Sequence, residues 1–304
     1  MIQAPSCQSP ATADAHPSPE PRADGWRARL ELGFESGSCR TVLRHRRHYG
    51  PLRVQRTFHP EGDPCHSYLL HPPGGVVGGD TIEIDVGSAA GAHALITTPA
   101  AGKFYRSAGE TARQRQHFRV GDGAALEWLP ALNILHAGAR AALHSRFDIA
   151  PGGRLLAWDL LGLGRPGSGD HFEQGSCDLA LEVDAGERRL LRERLHLEGG
   201  GALLQAPWGL QGRRYLATLI ASPGTGEMLD ALRDQAAGDR TDPVMGCTLL
   251  GGAAIADVQE GGLLACRWLA HSGEALWEAM IRAWFLLRPL VMGRPASAPR
   301  IWST

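Results

Sequence analysis

Apolar side chains recur at every second position in run after run of this chain, and no other feature restricts the backbone as strongly. Trp26, Ala28, Leu30 and Leu32 alternate with polar neighbours. Ile82, Ile84 and Val86 alternate with Thr81, Glu83 and Asp85, and Leu179, Leu181 and Val183 repeat the device. Successive side chains of a strand point to opposite faces, so each run describes a strand with one buried and one wet face. Glycine or proline clusters break the runs at short intervals, as at Gly74-Gly75, Gly78-Gly79 and Gly199 to Gly201. Many short strands with turn residues between them predict a mainly β body. A βαβ enzyme would need helices between its strands, and no convincing helical period occurs from Trp26 to about Ala221.

About two helices are expected towards the C-terminus. Gly226 to Ala237 carries Met228, Leu229 and Leu232 on one side. Further on, Leu276, Met280, Ala283, Trp284 and Leu287 form one apolar stripe after Ser272, a suitable N-cap, with Pro289 expected to end the helix. Trp277 and Phe285 lie off that stripe. The helix is therefore either buried on several faces within its own domain or docked on a partner. Residues 1–25 are proline-rich with almost nothing to bury, which predicts a disordered tail before a folded region beginning near Trp26.

The 304 residues carry 31 basic and 32 acidic groups, a formal net charge of -1. That balance offers no clustered basic footprint for nucleic acid. Lys103 is the only lysine, the rest of the basic residues being arginine. The six cysteines are scattered without a CxxC pair, which speaks against a zinc ribbon or a dense disulfide framework. No apolar run is long enough to span a bilayer, and the N-terminus lacks a secretory pattern. A soluble, reduced, cytoplasmic protein is expected.

The search for a catalyst finds no GxSxG, HExxH or P-loop. The segment from His71 to Asp80 is glycine-rich but lacks the lysine and hydroxyl of a phosphate loop, and a strand follows it, not a helix. Cys65-His66 with His71 nearby is the best candidate for a soft or borderline metal. Adjacent strand residues point apart, however, so Cys65 and His66 cannot grip one ion without a bend, and a buried Cys65 is the simpler reading. His45 and His48 sit among arginines that would repel a cation. Glu127, between Leu126 and Trp128, and Asp159, beside Trp158 and Leu160, are carboxylates in apolar company, so each needs a donor, a cation or water. Arg165 is an available partner.

These same segments carry a family likeness. Gly50 to Arg56, Cys65 to Asp80, Lys103-Phe104-Tyr105-Arg106-Ser107, Leu126 to Pro130, Leu155 to Pro166 and Pro299 to Trp302 together resemble the urease accessory protein UreD (UreH) family from about Trp26 to Thr304. The resemblance implies one β-helix-like domain over 26–304 with a few helices and no chemistry of its own. It implies complexes with UreF, the GTPase UreG and apo-urease (UreABC), without nucleic acid or membrane. It further implies that nickel is a cargo in transit and no cofactor is tightly bound. By the same resemblance Asp80, Lys103, Arg106, Glu127, Asp159, Arg165 and Asp170 belong to a polar interior path or its support. Cys65, His66 and His71 would give weak, transient nickel contacts at most, and Trp277, Phe285, Arg300 and Trp302 a partner surface. Ala131, Leu132 and Asn133 stand where the family usually places polar or acidic residues, so a ligand expected there is missing. Asp170 stands where a glutamate is usual. An uncharacterised soluble β-rich hydrolase and a nickel-storage protein are the alternative readings. The second would need clustered His or Cys.

Overall fold

The computed structural model describes residues 25–237, 242–251 and 261–303. The tail expected over residues 1–25 therefore lies, but for Gly25, outside the described residues. A hairpin of β1 (Arg27–Ser36) and β2 (Thr41–Tyr49) comes first, followed by the short β3 (Arg53–Val54) and by β4 (Cys65–Leu70). The chain then winds in coils. One coil is β5 (Thr81–Ser88), β6 (His93–Thr97) and β7 (Gly102–Phe104); the next is β8 (Ala112–Val120), β9 (Ala125–Leu129) and β10 (Asn133–Leu135). A third runs through β11 (Arg140–Ile149) and the long β12 (Arg154–Leu163), and β13 (Ser176–Ala185) begins another.

Equivalent strands of successive coils stack in parallel. β1, β5, β8, β11 and β13 form one wall, and β4, β6, β9 and β12 form the facing one. β7 and β10 join the end of β12 as a short third side. The result is a β-solenoid-like body of about four turns, as the family likeness implies. The remaining elements are β14 (Arg188–Glu198), α1 (Ala202–Gln205), β15 (Tyr215–Gly224), α2 (Gly226–Ala237), β16 (Val244–Leu250), β17 (Gly262–Ala270) and α3 (Gly273–Met292). They complete a seven-stranded and a ten-stranded sheet by antiparallel pairing.

Period-two patterning decides which side chains enter the solenoid. Leu30, Phe34, Val86, Phe118 and Phe147 face inward from the first wall and meet Ile96, Leu126 and Trp128 of the second. The second wall is buried on both faces, because α2 and α3 cover its back with Met228, Leu232, Leu276, Trp284 and Leu287. This explains why β9 is buried at every position and reads as a nearly unbroken apolar run. Parity then separates two acids: Glu127 shares the helix side with Ala125 and Leu129, whereas Asp159 shares the interior with Ala157 and Leu161.

Three features depart from the sequence-based expectations. α3 runs past Pro289 to Met292 and is capped by Gly293 at φ 65°. Pro289 is exposed, so the Phe285 carbonyl it leaves without a helical partner lies on the wet side, where water serves. α1 is an added helix of a single turn, too short for a periodic signal. Cys247 and Cys266, directly opposite on β16 and β17 with Cα atoms 4.1 Å apart, form a disulfide; their separation of 19 residues gave no motif. A glycine requirement is clear at Gly164, where φ is +77° and a Cβ would lie 2.3 Å from the Asp170 carbonyl oxygen.

Leu287→Ala is expected to lower the unfolding free energy by about 3 kcal/mol, the usual cost of such a core cavity. Phe285→Ala, two residues earlier in the helix but 47% exposed, should stay within about 0.5 kcal/mol. Urea unfolding followed by circular dichroism reads both.

Candidate functional site

Two polar constellations lie on opposite faces of the same sheet. On the helix side, Glu127 is fully buried and receives the Arg288 Nε at 3.0 and 3.1 Å and the Trp284 indole N–H at 2.9 Å. His93 Nε2 is 2.9 Å from its other edge. The far nitrogens of Arg288 hold Glu61 at 2.6 and 2.9 Å, and Glu61 in turn pairs with His66 at 2.7 Å. Burial pushes the Glu127 carboxyl up, but the His93 hydrogen bond and the Arg288 charge outweigh it and hold the pKa below the usual range. For Glu61 the same opposition, with His66 and Arg288 prevailing over burial, leaves a pKa of about 2. The cluster fastens α3 to β9 and to the loop before β4. Arg288 also donates to the Pro295 carbonyl, which ties down the C-terminal segment.

On the interior side, Asp159 is enclosed by protein yet keeps accessible surface, because it lines a cavity of about 300 Å³. Ser145 Oγ donates to it at 2.8 Å and lies 3.3 Å from Gln116 Oε1. Among the described residues no cation pairs with Asp159. Burial therefore raises its pKa to about 6, offset only in part by Ser145 and by the nearby Trp128 indole, which makes no hydrogen bond of ordinary geometry. Gln114 and Asn133 line this cavity and also a second one of about 450 Å³. The second cavity is bordered by His71, Gly74, Lys103 and Gln116. Glu193, inward-facing on β14, forms a bidentate pair with Arg267 on the wall of the smaller cavity.

The residues singled out from the sequence divide by place. Glu127, Asp159 and Lys103 reach the buried or cavity-lining positions. Asp80 is buried but lines neither cavity; it accepts the N–H groups of Val77 and Trp26 at 2.9 and 3.1 Å and fixes the turn before β5. Asp170 does similar work, accepting from Ala137 and Phe172 beside His136. Arg106 is exposed, and so is Arg165, which bridges to Asp170 through its backbone. Arg165 is thus partner to neither buried acid; Arg288 takes Glu127, and Asp159 stays without a cation.

Cys65 enters the solenoid core and His66 turns to Glu61 on the other face, as strand alternation requires. His71 stacks on Trp26 with ring centroids 5.3 Å apart. No group of three metal-ligating side chains occurs among the described residues. Trp302 is largely committed within the chain, packed on Trp158, Trp277 and Trp284 with its N–H on Thr97 Oγ1 at 3.0 Å. Phe285 and Arg300 remain exposed.

Several cavity residues escaped the sequence reading. Gln114, Gln116 and Ser145 occupy inward parity positions beside Phe118, Leu143 and Phe147, so a polar residue breaking an inward apolar series was the available signal. Arg288 adjoins the apolar stripe of α3 and was likewise a visible exception. Asn133, taken as a missing ligand, supplies an amide to both cavities.

The fold and site define a class: a β-solenoid whose interior holds weak oxygen and amide donors and whose back is clamped to a helix by a buried ion pair. The family model for the UreD urease accessory protein matches residues 26–303. The urease accessory protein UreD of Alkalilimnicola ehrlichii is 49% identical over 292 residues, covering 96% of each chain. Its counterpart in Pseudomonas putida strain W619 is 47% identical over 92% of this chain and 95% of that one, and that of Citrobacter koseri 45% identical over 92% of each. The chain belongs to the UreD family of urease accessory proteins.

The helix-side and interior acids should titrate with opposite signs. Glu61 and Glu127 have lowered pKa values, so their stabilisation is present above the ordinary carboxylate range and is lost as pH falls below it, for Glu61 as pH falls through about 2. Asp159 has a raised pKa, so stability falls as pH rises from about 4 through 6. Asp159→Asn is expected to stabilise the chain by on the order of 2–3 kcal/mol at pH 7.5, with the gain shrinking by pH 5. Glu127→Gln should cost about 3–5 kcal/mol at pH 7.5, because it leaves a buried guanidinium short of its partner. Urea unfolding at both pH values checks the signs.

Proposed function

We propose that this chain serves urease maturation as a non-catalytic cytoplasmic scaffold, carrying nickel internally between a complex of UreF and the GTPase UreG and apo-urease. The family and the names of the relatives support the urease role. The observation that supports the conduit is that two cavities share Gln114 and Asn133 in their walls, and that one of them is lined by Asp159, which pairs with no cation among the described residues. Their polar donors are a carboxylate, a hydroxyl and carboxamides, ligands that a hard or borderline hydrated cation exchanges readily. A cage of thiolates and imidazoles would instead retain nickel. Once above a pH of about 6, Asp159 presents a negative charge that no cation among the described residues neutralises, and a divalent ion can take that place.

The proposed partner surface runs along α3. Trp277, Ile281, Arg282, Pro299 and Arg300 line a groove of about 540 Å³, and Phe285 and Leu290 expose apolar surface further along the helix. Such a patch on a single chain suits a protein partner.

The test uses cells that carry the full urease operon, in which the native gene is replaced by Asp159→Asn. Urease protein, its bound nickel, its activity and co-purification of the chain with UreF and UreG are measured together. The expected result is abundant urease with at least a severalfold loss of nickel and activity, while the accessory complex persists. Full nickel loading with Asp159→Asn would remove this residue from the path, and full loading after deletion of the gene would remove the maturation role itself.

A further inference from the structure

The first coil of the solenoid ends in two sheet edges at the same end of the molecule, β2 on the seven-stranded sheet and β3 on the ten-stranded one. A coil at the end of a solenoid has no neighbour to pair its outer backbone groups, so such ends are capped or guarded. Here the guard has one sign. From Gly37 to Pro60 there are six arginines, at 40, 44, 46, 47, 53 and 56, and no Asp or Glu. All six arginines are exposed.

Among the described residues, compensation of Arg40, Arg44, Arg47, Arg53 and Arg56 is thin. Glu35 lies 3.5 Å from Arg44, and Glu31 lies 3.6 Å from His45. Among the described residues Arg40, Arg47 and Arg56 have no carboxylate within ion-pair distance. Among the described residues Arg53 gives hydrogen bonds only to the carbonyls of Gly50 and Leu52 and meets no carboxylate. Phe58 adds a partly exposed ring at the same end. The chain as a whole is nearly neutral, so this density of charge is local.

We propose that the β2 edge is a docking site for an extended acidic segment of a partner protein, added as a further strand. The open backbone supplies the main-chain pairing, and the arginines select a strand with carboxylates at alternate positions. The pairing would occupy β2 beyond Thr41, whose N–H is already taken by the Asp63 carbonyl. A second copy of this chain is disfavoured, since like charges would meet edge to edge. Nucleic acid could use the charge but not the strand edge, so the polypeptide is the occupant that accounts for both.

The experiment measures fluorescence anisotropy of a labelled octapeptide of alternating Glu and Val, titrated with the full chain at physiological salt. Binding is expected, with about tenfold loss for the Arg40→Glu/Arg47→Glu double variant and retention for Arg40→Lys/Arg47→Lys. Circular dichroism establishes that both variants are folded. The same peptide N-methylated at alternate residues, which cannot pair along one edge, should also lose about tenfold. Failure of the unmodified peptide to bind, equal binding by the charge-reversed variant, or equal binding by the methylated peptide overturns the proposal. A single-stranded oligonucleotide of the same charge that binds as tightly would overturn it too, in favour of a nucleic-acid surface.

Discussion

The guanidinium of Arg288 lies between Glu127 and Glu61 with no access to solvent, and much of the molecule is organised around satisfying it. Removing an ion pair of this kind from water costs several kcal/mol per ion, so it persists only if nearly every donor and acceptor is met. Arg288 meets two carboxylates and a backbone carbonyl, and Glu127 adds an indole and an imidazole. Those partners come from β6, β9, α3, the loop before β4 and the segment after α3. Elements far apart in sequence are thereby fixed in one register, which hydrophobic packing alone specifies less sharply.

Because α3 is held against the back of the ten-stranded sheet, that sheet is buried on both faces and its front can afford polar positions. Asp159, Ser145 and Gln116 stand there among leucines and aromatics, and around them the packing leaves space, not contact. The two acids in adjacent strands thus have opposite fates from the same burial. Glu127 is compensated and stays ionised; Asp159 is not, and its proton is held to higher pH. Structural support is expected of the first. Exchange of a proton for another cation is open only to the second.

Much of the fold was legible because strands declare themselves at short range. The alternation at Ala28 to Leu32 and at Ile82 to Val86 named inward residues directly, and Ser272 marked the start of α3. Parity also separates Glu127 from Asp159 once the strands are known, although only the coil-on-coil stacking reveals which side carries α3. What stayed hidden depends on distance in sequence. The partner of Glu127 lies 161 residues away, so nearby Arg165 looked suitable while Arg288 did not. Cys247 and Cys266 meet only through strand register, and the place of Asn133 in the walls of both cavities depends on three coils at once. The family likeness singled out acids without distinguishing the turn-holding Asp80 and Asp170 from Asp159, which lines a cavity.

Anomalous scattering at the nickel edge, from crystals of this chain at pH 8 soaked in a nickel salt, tests the central claim most directly. The account predicts a partly occupied interior site within coordination distance of Asp159, absent from the Asp159→Asn variant grown and soaked alike. Nickel confined to surface histidines, with the interior equally empty in both proteins, would contradict an internal path through these cavities.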